Sequence, residues 1–399
     1  MDILKEVFQG VLYFGIGDNW KALIMYVIGG VLIYLAIKKN YEPALLLPIG
    51  FGAILVNLPF NIVGIVTEFV GGEMVDKGEV GFLEVLRSAG ISTELFPILI
   101  FIAIGAMIDF TPLFKNPFMI FFGAAAQFGI FMTFIIALLL LPLLGIGGEE
   151  ALKLSAAIGI IGAADGPTTI YVGNHFELFK YMGPISVAAY SYMSLVPIIQ
   201  PPVIRALTTK KERLIRMDYH EESVPKLVKI LFPILVTIIA GVLVPMSAPL
   251  VGSLMFGNLI RECGVLERLS QSAQNELANL VTLLLGITIG STMLADKFID
   301  PVTGLILLLG LFAFVFDTAG GVLFAKFLNL FLKKKVNPMI GAAGISAFPM
   351  SARVIQKMAK EEDPTNFILM QAISANVSGQ LGSIIAGGLV IALVTILIK

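Results

Sequence analysis

The sequence predicts an all-α polytopic membrane protein built from two inverted repeats, with about ten spanning helices and two broken, re-entrant segments. Three observations predict it: a very apolar composition, long apolar stretches along the whole chain, and small landmarks that recur in one order with charge at opposite ends. Of 399 residues 57% are apolar and 14% charged, and the mean hydropathy is +0.93. A water-soluble core of this length does not need so much apolar surface. The formal charge is 27 minus 28, or -1, so bulk charge points to no nucleic-acid partner. The single cysteine, Cys263, forms no intramolecular disulfide, and His175 and His220 make no transition-metal cluster.

Residues 1–20, with Asp2, Lys5 and Glu6 around a short apolar run, are read as an amphipathic lead-in helix because no small-residue cleavage site follows. The first repeat, 21–204, carries apolar segments Lys21–Ile37, Pro43–Val56, Leu95–Ile108, Pro117–Leu144, Leu154–Val172 and Met182–Ile204. The second, 226–399, carries Leu227–Val244, Pro249–Ile260, Leu280–Met293, Pro301–Leu332, Pro338–Val354 and Phe367–Ile398. A bilayer core of ~30 Å takes about 20 helical residues to cross. Between the sets, 205–225 is a charged connector with Arg205, Lys210, Lys211, Arg213 and Arg216.

The landmarks of the first half are Pro48 with Asn57, Arg87 with Gly90, Gly105, Pro117 and Gly162-Ala163-Ala164. Those of the second are Pro249 with Asn258, Arg261 with Gly264, Gly290, Pro301 and Gly341-Ala342-Ala343. Each is weak alone, but their common order is hard to attribute to chance. The first segment ends at Lys38 and Lys39, whereas its counterpart begins at Lys226 and Lys229; the fourth begins at Lys115, whereas its counterpart ends at Lys333, Lys334 and Lys335. Corresponding ends therefore face opposite sides, which makes the repeat inverted. Inversion requires an odd number of crossings in each half, so the fifth segment of each is expected to turn back. Most Lys and Arg then lie inside, with both termini outside and the connector in the cytosol.

The fifth segments break at Ala164-Asp165-Gly166-Pro167-Thr168 and at Gly341 to Pro349. Proline removes a donor and glycine loosens the helix, which frees carbonyls at a depth where lipid cannot satisfy them. Bare carbonyls, hydroxyls and one carboxylate suit a hard cation such as Na+. The plainer alternative is a proline kink capped by Asp165, but an ionised group at the membrane centre costs ~2.5 to 3.5 kcal/mol even on a lenient scale. In the sixth segments Ser186, Tyr190 and Ser194 fall on one helical face, with Tyr192 pointing roughly the other way. Ser374, Asn376, Ser378, Gln380 and Ser383 crowd the last helix; the serines also suit helix packing, whereas Asn376 and Gln380 each carry an amide that needs several partners. Arg353 follows the second break and reads either as a positive-inside anchor with Lys357 and Lys360 or as a guanidinium at the inner mouth of a cavity.

These residues carry a resemblance to a family. The sequence resembles the beta subunit of the biotin-dependent sodium-pumping decarboxylases, which include the oxaloacetate, methylmalonyl-CoA, glutaconyl-CoA and malonate enzymes. The resemblance covers nearly the whole chain and is strongest at Gly162–Val172, Ala188–Pro202, Asn337–Gln356 and Ser374–Ser383. It implies that Asp165 belongs to the sodium and proton pathway, with roles for Tyr190, Tyr192, Asn337, Gly341 and Ser346. It also implies Arg353 beside carboxybiotin and Asn376 as a sodium ligand. The metal set is then Asp165, Gly341, Ser346 and Asn376 for Na+, with Asn337 and Arg353 toward carboxybiotin.

No Met-Lys-Met biotinyl site and no GxxxxGK[ST] loop occur, so biotin is expected on a partner and ATP is not the energy source. The implied activity is decarboxylation of carboxybiotin coupled to Na+ export with proton consumption. The implied partners are a biotin carrier protein, a carboxyltransferase subunit, a small membrane subunit and further copies of the chain, in a bacterial or archaeal cytoplasmic membrane. The rival is a stand-alone sodium symporter or sodium/proton antiporter of similar build; a channel is a more distant third.

Overall fold

A backbone inside lipid must pair its own N–H and C=O groups, and the long apolar runs do so as helices. The computed structural model describes residues 9–15, 17–70, 73–217 and 223–399, with the side chains of 67–76 and of Ser194 outside that description. Residues 1–8 and 16 of the expected lead-in, 218–222 of the connector, and the Ser194 side chain on its expected face are therefore not among the described parts. The chain is 79% helical.

In the first half, α1 spans Lys21–Lys39, α2 Pro43–Val56, α3 Leu95–Met107, α4 Ile120–Ala126, α5 Phe128–Leu140, α6 Gly148–Ile161, α7 Gly166–His175 and α8 Met182–Leu207. In the second, α9 spans Lys226–Leu243, α10 Ala248–Glu262, α11 Ala278–Ser291, α12 Pro301–Phe331, α13 Met339–Ala342, α14 Met350–Glu362 and α15 Leu369–Ile398. Between α2 and α3 an antiparallel hairpin pairs β1, Ile65–Val70, with β2, Glu73–Val80. The sequence analysis assigns no strand there, since this mixed, charge-bearing stretch has no apolar run of spanning length.

Among the described residues, five helices are long and apolar enough to cross a membrane, or up to seven if each of two bent pairs, 82–107 and 182–207, is one span. That count falls below the ten expected because Pro43–Val56 is short, with 14 residues, and other segments are interrupted. The outer surface carries Leu235, Ile238, Val242, Leu330 and Ile396 exposed, as a lipid-facing wall requires. The interior packs Phe101, Phe122 and Phe314, all fully buried. The protein is a multi-pass membrane protein.

Two buried asparagines tie helices across the halves. Asn57, at the end of α2, donates from Nδ2 to Met293 O at 2.7 Å, and its Oδ1 accepts from Ala295 N at 2.8 Å, both just past α11. Asn258, in α10, donates from Nδ2 to Ile108 O at 2.9 Å and to Gly105 O at 3.3 Å, at the end of α3. A buried amide satisfied by carbonyls at another helix's end fixes the crossing of the two helices. The pairs α2 with α11 and α10 with α3 cross the halves in the same way.

Candidate functional site

Helix α6 stops at Ile161, and the chain turns through Gly162, Ala163 and Ala164 before α7 starts at Gly166. Ala164 takes φ 52°, the left-handed region, which a non-glycine residue adopts at a steric cost. After that turn Asp165 is the N-cap of α7, with its Oδ1 accepting from Thr168 N at 3.1 Å. Pro167 sits in the first turn, where its missing N–H costs nothing. The second break lies between α13 and α14, and its Ser346 N donates to Ala163 O at 3.0 Å. The two interrupted segments thus meet backbone to backbone.

The other oxygen of Asp165 gathers donors from the second half. Oδ2 accepts from Ser346 Oγ at 3.1 Å, from Ser383 Oγ at 2.7 Å and from Gln380 Nε2 at 3.3 Å. The carboxyl is 3% exposed, with no lysine or arginine among its hydrogen-bond partners. Hydrogen bonds alone offset only part of the cost of burying an ionised group. A monovalent cation or a proton at this carboxylate would complete the compensation, and the surrounding hydroxyl and amide oxygens are hard ligands.

Asp165 lines a cavity of about 270 Å³ together with Tyr190, Ser346 and Gln380 and with Glu42, Gln274 and Asn279. Tyr190 lies flat against Gly166, where an added Cβ would come within 2.3 Å of the ring. Only glycine lets the start of α7 approach the ring this closely. Glu42, in the turn before α2, is partly buried, and that burial pushes its carboxyl up from the ordinary value.

The remaining expected residues sit elsewhere. Tyr192, one face round α8, donates from its hydroxyl to Leu307 O and packs on Gly310 of α12, so its polar atom is used away from Asp165. Asn337 is fully buried and satisfied: Nδ2 donates to Arg213 O and Ile215 O at 2.9 Å each, and Oδ1 accepts from Met339 N at 3.1 Å. It fastens the connector to the start of α13. Gly341 packs against Gly321 of α12, and its carbonyl accepts from Gly344 N at 3.1 Å. Neither residue lines the Asp165 cavity.

Asn376 lies next to the second break. Its Nδ2 donates to Ile345 O at 2.7 Å, and its Oδ1 is buried with no hydrogen-bond partner. An orphaned amide oxygen on a side chain bonded to Ile345, the residue before Ser346, fits a cation ligand. Arg353 is exposed on α14, on the same face as Lys357 and Lys360, and the three line a shallow pocket of about 450 Å³ with Gln356, Glu361 and Leu369.

Gln380, Ser383 and Gln200 contribute geometry to the site, and each carries a signal in the sequence. Gln380 and Ser383 belong to the crowded polar residues of the last helix, but their target needs a contact across more than two hundred positions. Gln200 of α8 donates from Nε2 to Ala342 O at 2.8 Å and accepts from Ser351 Oγ at 3.0 Å, bracing the second break from both sides. Its signal was an amide within a proline-rich apolar helix. Glu42, by contrast, follows a lysine pair and reads in sequence as an ordinary loop charge.

The model of the Na+-transporting oxaloacetate decarboxylase beta subunit family matches residues 21–394. The chain is 46% identical over 389 residues to the methylmalonyl-CoA decarboxylase subunit beta of Propionigenium modestum, covering 94% of this chain and 96% of that protein. It is 47% identical over 387 residues to the methylmalonyl-CoA decarboxylase subunit beta of Veillonella parvula, with 97% and 96% covered. The oxaloacetate decarboxylase beta chain of Klebsiella pneumoniae is 43% identical over 435 residues, with 98% and 99% covered.

Proposed function

The chain belongs to the beta-subunit family of the Na+-transporting decarboxylases, and on that premise we propose that it decarboxylates carboxybiotin brought by a biotin carrier and couples this to Na+ export and proton consumption. The observation that supports it most is the Asp165 carboxylate, reached by Ser346, Ser383 and Gln380 and lining a cavity where two broken segments meet. What favours this over a stand-alone sodium transporter is the family.

In this reading Na+ enters past Glu42, sheds water, and is held by Asp165 with oxygens of Ser346 and Asn376; Gly341 and Ser383 set the spacing of the segments that carry them. When Na+ leaves outward, a proton takes its place on Asp165. In decarboxylation the N–CO2⁻ bond of carboxybiotin breaks, carbon dioxide leaves, and the biotin nitrogen takes a proton. Binding Na+ and binding a proton exclude one another at one carboxylate, which is the physical basis of coupling. Arg353, with Lys357 and Lys360, attracts the anionic carboxybiotin to the inner face, and Asn337 holds the connector beside it. Tyr190 closes the cavity over Gly166, while Tyr192 keeps α8 on α12.

The same reading takes the chain as two inverted repeats, 21–204 and 226–399, with ten spanning helices and both termini outside a bacterial or archaeal cytoplasmic membrane. The matching roles of Asn57 and Asn258 support the repeat. A biotin carrier, a carboxyltransferase subunit, a small membrane subunit and further copies of the chain complete the assembly. Topology is tested in intact cells with Lys211→Cys in a Cys263→Ser background: reagent access to position 211 from outside overturns it.

The deciding experiment for function is the reconstituted complex carrying Asp165→Asn. This variant is expected to insert and assemble, but to lose both Na+-dependent decarboxylation and sodium uptake into vesicles. An assembled variant that pumps at a near-normal rate makes Asp165 a helix cap only.

A further inference from the structure

Asp317 is a fully buried acid in the middle of α12, outside the site described above. Its Oδ1 accepts from Ile130 N at 3.2 Å, in the first turn of α5 after the break at Gln127, and stands so close to Gly129 that an added Cβ there would lie 2.4 Å from it. Its Oδ2 is buried and has no hydrogen-bond partner. That oxygen faces Gly162, where an added Cβ would stand 2.9 Å from Oδ2 and 2.6 Å from Ala313 Cβ. The acid therefore sits between the start of α5 and the turn that leads, three residues on, to Asp165.

The cost of an ionised carboxylate here is met on one oxygen only. A sodium ion needs about five or six oxygens around it, and the closure of Gly162 and Ala313 on Oδ2 leaves no room for such a shell. A proton needs one lone pair. Among the described residues no other charge faces it: α4, α5 and α13 carry none, and α10 packs elsewhere. Helix α6 has Glu149, Glu150 and Lys153 only in its first two turns, and α8 has Arg205 at its far end. On α8, Tyr192 is bonded to Leu307 O and Tyr190 lines the Asp165 cavity. On α12 itself Lys326, more than two turns away, is paired with Glu212.

Two further hydroxyls point the same way. Threonines in the other membrane helices, such as Thr208, Thr237, Thr288 and Thr395, bond the carbonyl four residues back. Thr133 and Ser155 are fully buried and bond nothing. Thr133 is one turn beyond Gly129 on α5, and Ser155 precedes Gly159 and Gly162 on one face of α6, where Gly159 packs on Ile130 O. Helices α5 and α6 pack together, and Ser155 lies on the order of 10 Å along α6 from Gly162 toward Glu149, so the two hydroxyls mark the Thr133–Ser155 seam between these helices. Buried polar atoms without protein partners are where ordered water is found.

We infer that Asp317 is a proton-carrying site that takes its proton from the Glu149 side through the Thr133–Ser155 seam and passes it to Asp165. Uptake breaks an O–H bond of a hydronium ion in the seam and forms Oδ2–H on Asp317. Delivery breaks that bond and forms O–H on Asp165 after Na+ has gone. The inference rests on the coupling proposed above and deepens it by assigning the outer proton path.

Infrared spectroscopy of the purified chain at neutral pH is expected to show a buried protonated-carboxyl band that Asp317→Asn removes; its absence in the unaltered protein overturns the protonated state. In vesicles holding the assembled complex, the unaltered protein is expected to slow as the proton concentration on the Glu149 side falls. Asp317→Asn keeps the acceptor for Ile130 and is expected to lose tenfold or more in rate together with that dependence, with partial recovery in Asp317→Glu. Thr133→Val, which leaves the acid in place, is expected to slow turnover several-fold while keeping the band. Variants that turn over normally with the unaltered proton dependence overturn the relay. An unaltered complex with no such dependence overturns instead the proton consumption proposed for the family site.

Discussion

Ser383 Oγ lies 2.7 Å from Asp165 Oδ2, so the last helix of the chain donates directly to the carboxylate of the first broken segment. It is the shortest of that oxygen's contacts with Ser346, Gln380 and Ser383. Ser383 also bonds Gln380 O at 3.1 Å, which sets the turn of α15 that brings both residues to the acid. A hydroxyl bonded to a charged group contributes ~1.5 to 3 kcal/mol.

We predict that Ser383→Ala raises the Na+ concentration for half-maximal activity by about tenfold, the equivalent of ~1.4 kcal/mol. Its thermal stability should change little, because the serine side chain adds almost no apolar packing. Titration of decarboxylation against Na+ checks this; an unchanged Na+ requirement with a lowered melting temperature would mean the hydroxyl serves helix packing alone.

The left-handed turn at Ala164, φ 52°, should be sensitive to shape and not to polarity. Ala164→Gly relieves a steric cost of order 1 kcal/mol and is expected to retain the fold. Ala164→Val adds a branched carbon where such a φ is strongly disfavoured and should lower the yield of assembled protein severely. Detergent-solubilised yield and melting temperature of the two variants decide it; equal behaviour would show that the turn does not hold Asp165.

Tyr190 and Tyr192 are two positions apart and should separate in function. Tyr192→Phe removes a hydrogen bond to Leu307 O and is expected to cost about 1 kcal/mol of stability while leaving the Na+ dependence unchanged. Tyr190→Phe acts inside the cavity and is expected to shift Na+ activation several-fold with little change in stability. The prediction fails if the two variants exchange these signatures.

Burial raises the carboxyl of Glu42, which lines the Asp165 cavity. A raised value means that the folded protein holds this proton more tightly than the unfolded chain. That contribution is complete below the ordinary glutamate range, about 4.3 to 4.5, and is lost as pH rises through the folded value. Glu42→Gln should therefore melt slightly higher than the unaltered protein at neutral pH, by a few degrees at most, and show no such gain at about pH 4. Because the ionised carboxylate attracts Na+, the unaltered protein should also need more Na+ as pH falls, and the variant should need more at every pH. A variant whose Na+ requirement follows pH as before would place the titrating group elsewhere.

Much of the candidate site's raw material was legible along the chain. Gly162 to Thr168 and Gly341 to Pro349 announce broken helices, since proline and glycine act locally on the backbone and need no knowledge of neighbours. An acid in such a break is conspicuous against an apolar background, and the motif stretches that carry the family resemblance are contiguous. What was not legible depends on distance in sequence. Gln380 and Ser383 look like any small polar residues of a packed helix until α15 is laid beside the first break. Asn337, adjacent to the second break in sequence, turns out to hold the connector because the connector folds back over it.

The sequence by itself determined that this is a multi-pass membrane protein of a sodium-transporting decarboxylase family, because apolar run length and local motifs are properties of contiguous residues. Tertiary structure alone decided which polar atoms share the Asp165 carboxylate, that Tyr190 and not Tyr192 lines its cavity, and that a second acid, Asp317, stands against Gly162. The physical reason is that an oxygen's partners are set by how helices cross, and a crossing brings together residues nearly two hundred positions apart through close-packed small side chains.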